Sequence, residues 1–125
     1  MVNKMKNLTI LILILAISQF ETHSQSCLPQ GIEFNTQQEI DNFQVNYPGC
    51  TMIEGDVTIL WRDNITNVDS LIVLTSIGGN LNICNNANLT SLEGLSNLLS
   101  VGSFVQIIGN GSLETLLGLE NLVSI

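Results

Sequence analysis

Basic residues are almost missing from this chain. Lys and Arg together number 3 against 11 Asp and Glu, with 1 His, for a formal net charge of −8. That balance excludes an electrostatic grip on nucleic acid or on an anionic membrane surface, since both need Lys and Arg. Long apolar runs are missing too. The longest, Leu8 to Ile17, is broken only by Thr9 and covers about ten residues, whereas a membrane-spanning helix needs about 20. Aromatics are scarce at 5% and charged residues make up only 11%, yet hydrophobic residues reach 45%. So aliphatic a chain is not a disordered tail. Its 125 residues suit one domain or part of one.

The start of the chain reads as an export signal. Lys4 and Lys6 precede the apolar run, and Ser18, Gln19, Glu21, Thr22 and His23 follow it. This charged, apolar, polar order is that of a secretory leader, and the small residues Thr22 and Ser24 suit cleavage before Gln25. Two alternatives stay open. One is a lipoprotein cut before Cys27, although Ser24-Gln25-Ser26 lacks the usual aliphatic residue. The other is an uncleaved anchor. Removing residues 1–24 leaves Arg62 as the one base against ten acids, for a net charge of −9, with no His and no Lys.

That composition limits the chemistry. A Ser or Cys nucleophile needs a base, and the exported chain has no His or Lys to serve. Metal sites lack His. The expectation is therefore a protein that is not an enzyme and carries no cofactor. A carboxylate pair cleaving polysaccharide is the remaining catalytic option, with Asp56 the only acid at an outward strand place. Asp63, Asp69, Glu93 and Glu114 fall at corners, where solvated charge is ordinary. In an oxidising compartment Cys27 and Cys50 are the natural disulfide, closing a 24-residue loop worth about 3 kcal/mol on a chain-entropy argument. Three free thiols are the alternative. Cys84 stands alone: buried, reactive, or paired with another chain.

The body repeats every 24 residues. Ile53–Ser76, Ile77–Ser100 and Val101–Ser124 align without a gap, and Ile125 opens a fourth unit. Numbering places 1 to 24 within each unit, the aliphatics fall at places 1, 5, 7, 13, 16, 19 and 22. Place 7, for example, holds Ile59, Ile83 and Ile107, and place 19 holds Leu71, Leu95 and Leu119. All 21 such positions are Ile, Leu or Val. The step of two between places 5 and 7 is strand periodicity. The later steps of three fit tight corners, and no stretch sustains the rhythm of an amphipathic helix. The pattern predicts a mainly β protein, a right-handed parallel solenoid whose units share one core.

Gly55, Gly78, Gly79 and Gly102 precede strands, and Gly94 and Gly118 share place 18. All are expected to supply backbone angles closed to other residues. Asn86 and Asn110 share place 10, where an inward amide can bond the backbone of adjacent units; ordinary turn asparagine is the alternative. Arg62 holds that place in the first unit, so any ladder is expected to break there. Residues 25–52 lie outside the repeat. Thr36-Gln37-Gln38-Glu39 is a capping box that predicts a short helix from about Gln37 to Asn46, with Ile40 and Phe43 inward and Pro48-Gly49 ending it. This segment is expected to act as a disulfide-closed lid on the first unit. The expected organisation is thus a signal at 1–24, a cap at 25–52, and three units plus the start of a fourth at 53–125, read as a fragment of a longer protein.

Val57-x-Ile59-x-x-Arg62, Leu81-x-Ile83-x-x-Asn86 and Val105-x-Ile107-x-x-Asn110 resemble the strand signature of leucine-rich repeats. Cys27, the predicted helix, Cys50 and Gly55-Asp56-Val57-Thr58-Ile59 more closely resemble the receptor L domain of insulin- and epidermal-growth-factor-receptor ectodomains. Thr75-Ser76-Ile77-Gly78-Gly79-Asn80-Leu81 is similar to repeats of exported proteins from Bacteroidetes-type bacteria. The resemblance spans residues 27–125 and implies a right-handed β-solenoid with an extracellular interaction role. The chain departs from the standard leucine-rich repeat in lacking a leucine at place 2 and any long helix. No ligand-contact residue carries over.

Outward strand places offer a binding face for a protein or glycan. Its candidates are Asp56, Thr58, Leu60, Trp61, Asn80, Asn82, Phe104 and Gln106. An idle sheet face is the alternative. The expected function is a non-catalytic recognition or adhesion module, secreted or on the cell surface, touching membrane only through export or a downstream anchor. A passive spacer is the second reading. Asn64, Asn88 and Asn110 head N-glycosylation sequons that Asn-rich turns also produce by accident.

Overall fold

The computed structural model describes residues 25–125, and the expected export signal at 1–24 lies outside the described residues. Eight short strands run through it: β1 (Gln25–Cys27), β2 (Ile32–Glu33), β3 (Cys50–Ile53), β4 (Val57–Leu60), β5 (Ser76–Ile77), β6 (Leu81–Cys84), β7 (Ser100–Val101) and β8 (Val105–Ile108). They alternate between two parallel sheets, ordered β1-β3-β5-β7 and β2-β4-β6-β8. Pairing follows the 24-residue period. Val57 faces Leu81 and Leu81 faces Val105; Ile59, Ile83 and Ile107 stand in one column. Ile53, Ile77 and Val101 form the matching column in the other sheet.

These columns are the core. In the first two units every aliphatic of the repeat is buried, from Ile53 and Val57 to Leu95 and Leu98. Each such side chain contributes about 1.5–3 kcal/mol by leaving water. In the third unit Val101 is buried, whereas Val105, Ile107, Leu113, Leu119 and Leu122 pack against the core from one side only. The steps of three have a local cause. Residues Asp69–Val73 and Glu93–Leu95 are 3-10 turns, whose three-residue period turns every third side chain inward.

Residues 25–52 add a rung to both sheets, through β1 on β3 and β2 on β4. Its register is irregular, with a shift between Gln25 and Ser26. The Cys27–Cys50 disulfide joins β1 to β3 across a Cα separation of 5.7 Å. The capping box differs from the expected one. The Thr36 hydroxyl accepts from the Glu39 amide, but Glu39 reaches back to the Asn35 amide at 2.6 Å instead of that of Thr36. One helix was expected over Gln37 to Asn46, and the chain forms two: α1 (Gln37–Asp41) and α2 (Phe43–Asn46). Asn42 divides them at φ −91°, ψ 5°, the sparsely populated bridge region that a short polar side chain tolerates. Ile40 and Phe43 are buried, and both helices pack on the 3-10 turn at Asp69–Val73. The Gln37 and Gln44 side chains donate to the Asn67 and Ser70 carbonyls, tying this rung to the first unit.

The glycines at strand entries serve a different purpose from the one expected. Gly78, and also Gly94 at place 18, are not left-handed and the need is for space, whereas Gly118, sharing place 18, is left-handed at φ 110° as expected. A Cβ on Gly78 would lie 2.3 Å from the Glu54 carbonyl oxygen, and one on Gly94 would lie 1.9 Å from that of Val68. The rungs approach too closely there for any side chain.

Candidate functional site

Strand alternation sets the outward face of the second sheet. Val57 and Ile59 point into the core, so Thr58 and Leu60 point away. Pairing carries this along the sheet. Thr58, Asn82 and Gln106 form one column, extended by Glu33 on β2; Leu60, Cys84 and Ile108 form the next. Thr58, Leu60 and Asn82 are half-buried, and Gln106 is exposed. Cys84 is a free cysteine and is buried despite its outward place. Large apolar side chains are exposed at both ends of these strands: Phe104, 51% exposed, just before β8, Ile108, 56%, at the end of β8, and Trp61, 71%, just past the end of β4.

Two of the polar candidates are already engaged. The Asp56 carboxylate accepts from the Asn80 amide at 2.7 Å, and the Asn80 side-chain oxygen accepts from the Phe104 amide at 3.3 Å. Asp56, Asn80 and Phe104 thus form a ladder that joins three rungs at the strand entries. Asn82 Oδ1 is enclosed and has no partner. The groups open to a ligand are chiefly Trp61, Phe104, Gln106 and the edges of Leu60 and Ile108.

Just past the strands lie two places of opposite character. At place 10 the amide ladder exists. Asn86 donates to the Ile59 carbonyl at 2.9 Å and Asn110 donates to that of Ile83 at 2.8 Å. Asn110 Oδ1 accepts from the Asn86 amide at 3.0 Å, and Asn86 Oδ1 accepts from the Arg62 amide at 3.0 Å. Asn86 is fully buried, so this is an interior network with its polar atoms paired. Arg62 ends the ladder without breaking it, because its backbone supplies the donor. Its guanidinium turns to the first rung, meeting Glu33 at 2.9 Å and the Asn35 side-chain oxygen. Sequence reasoning missed Glu33 and Asn35, since their rung is off the period.

At place 9 the backbone is left-handed in every unit: Trp61 at φ 58°, Asn85 at φ 58° and Gly109 at φ 71°. Asn and Gly accept that conformation readily and a bulky residue does not. The Asn85 and Gly109 pair was the available signal, and Trp61 hid it.

Among the described residues no group of three or more His, Cys, Asp and Glu is arranged to hold a metal ion. Glu120 has its carboxyl held below the ordinary carboxylate range by hydrogen bonds from its own amide and that of Gly118. Asn110 is committed to the interior ladder, and Asn88 donates to the Asp63 carbonyl at 2.7 Å. Among the described residues no helix is long and apolar enough to cross a membrane.

The model of one protein family, the Receptor L domain, matches residues 49–124. The chain matches no curated protein and no solved structure.

Proposed function

This chain belongs to the receptor L domain family, whose members are ligand-binding, non-catalytic modules, and on that premise we propose an exported recognition module for a protein ligand. In this reading the leader at residues 1–24 is removed, the Cys27–Cys50 disulfide forms outside the cytosol, and residues 25–52 serve as the cap. The units wind as a right-handed solenoid, the hand that parallel crossovers adopt in about 98% of cases. The ligand lies on the outward face of β2-β4-β6-β8. One observation carries this: Trp61, Phe104 and Ile108 expose large apolar surfaces near one sheet face, and the core does not use them. A protein ligand is favoured over a glycan because Asp56 and Asn80, the side chains best suited to sugar hydroxyls, already serve backbone amides.

The test is binding of the folded chain to an arrayed panel of extracellular proteins, compared with a Phe104→Ala, Gln106→Arg double variant. Binding that the variant loses, with an unchanged circular dichroism spectrum, supports the reading. A folded chain that binds nothing, or equal binding by the variant, overturns it.

A further inference from the structure

We propose that Trp61 anchors a cationic, apolar protein segment, and that the fold tolerates it at a backbone position better suited to Asn or Gly. This rests on the reading that the outward face binds protein. The comparison lies within the chain itself. Three successive units need a left-handed residue at place 9, and the second and third use Asn85 and Gly109. The first uses the bulkiest side chain available, at φ 58°. Leu28 is also left-handed, at φ 51°, but it packs against the core and has that compensation. Trp61 is 71% exposed, so little burial offsets its backbone cost. A strained, exposed tryptophan following directly on Leu60, at the edge of an apolar column, has the character of an interface anchor.

Charge selects the partner. Residues 25–125 hold ten acids and a single base, Arg62, whose guanidinium is paired with Glu33. Asp63 follows Trp61 by two residues, after Arg62. The net charge of residues 25–125 is therefore strongly negative, which steers in a segment bearing Lys or Arg next to an apolar side chain.

Trp61 is the chain's single tryptophan, so its emission reports this site alone. The probes are short tryptophan-free peptides of Lys, Arg, Leu and Phe, with matched peptides of Asp, Glu, Leu and Phe. We expect the basic peptides to shift the emission to the blue and the acidic ones to leave it unmoved. Trp61→Asn, mimicking Asn85, is expected to weaken basic-peptide binding about tenfold by fluorescence polarisation. Its melting temperature should be equal to or above that of the parent. A fall of more than about 4 °C means the indole holds the fold together and overturns the proposal. An unmoved emission, equal response to acidic peptides, or undiminished binding by Trp61→Asn also overturns it. If Trp61→Asn binds normally while Phe104→Ala, Gln106→Arg loses its array partner, the outward face stands as the ligand surface and only the anchor is wrong.

Discussion

Along β4, Val57 and Ile59 are fully buried, while Thr58 and Leu60, each one residue away, stay half-exposed. The next strands keep the first pair almost unchanged, as Leu81 and Ile83 and then Val105 and Ile107. They alter the second freely: Thr58 gives way to Asn82 and Gln106, and Leu60 to Cys84 and Ile108. The inner face repeats because stacking at a fixed period gives each inward side chain the same neighbours above and below. The outer columns stack at the same period but meet solvent on their other side, so they need not fill a core. The fold specifies the inner columns and leaves the outer ones freer to vary, which is the ground on which the ligand is proposed to lie there.

The sharpest way to break this comparison is to truncate both faces of one strand pair. Ile83 lies between Ile59 and Ile107 with no exposure. Ile83→Ala should cost about 4 kcal/mol in urea unfolding, through lost transfer energy and an unfilled cavity. Gln106→Ala, on the outward side, should cost less than about 0.5 kcal/mol. Comparable losses at the two sites would mean that the outer face is structural.

A second contrast separates the regular units from the first rung. In the second sheet that rung pairs two residues with β4, against four between successive units, and in the first sheet its register shifts, so its ladder holds it less firmly than the repeat holds itself. The Cys27–Cys50 bond compensates. Replacing both cysteines with Ser should cost about 3 kcal/mol, and amide exchange should rise first in residues 25–52. Exchange that rises evenly over all units would show that the rung is no weaker than the others. Next comes the amide ladder. Asn86→Ala leaves the buried Ile59 carbonyl and the part-buried Arg62 amide without their partner and should cost about 2 kcal/mol. Asn88→Ala, at an exposed turn, should cost well under 1 kcal/mol.

The same contrast explains what was legible in advance. The period, the strand places and the Ile59–Ile83–Ile107 column could be read from sequence because inward side chains obey a strict spacing. The Cys27–Cys50 pair could be read because only two cysteines flank a compact segment. The first rung could not: Ile32 pairs with Val57 at a spacing of 25 and Cys27 with Ile53 at 26, so it fails a search at 24. The division of the helix depends on the dihedral angles of Asn42, which a capping box does not fix. Asp56 and Asn80 fall at outward places of the period, but place alone does not reveal that a carboxylate or amide bonds a neighbouring rung's backbone. The left-handed bend at place 9 was masked because Trp61 is the wrong residue for it on grounds of propensity.

Arg62 sits where the two faces meet, and it gives the smallest and most discriminating prediction. Its backbone amide belongs to the inner ladder, whereas its guanidinium belongs to the surface, at 30% exposure beside a Glu33 side chain at 54%. Arg62→Ala removes only the second role, since the amide remains to donate to Asn86. The ion pair is exposed enough to be screened, so the loss should be about 0.5 kcal/mol and should fade as salt is raised toward 1 M. A Glu33→Gln, Arg62→Ala double-mutant cycle isolates the pair, and its coupling energy should vanish at the same salt concentration. A loss near that of Asn86→Ala, insensitive to salt, would mean instead that the guanidinium is part of the interior network and that the inner and outer faces are not independent at this place.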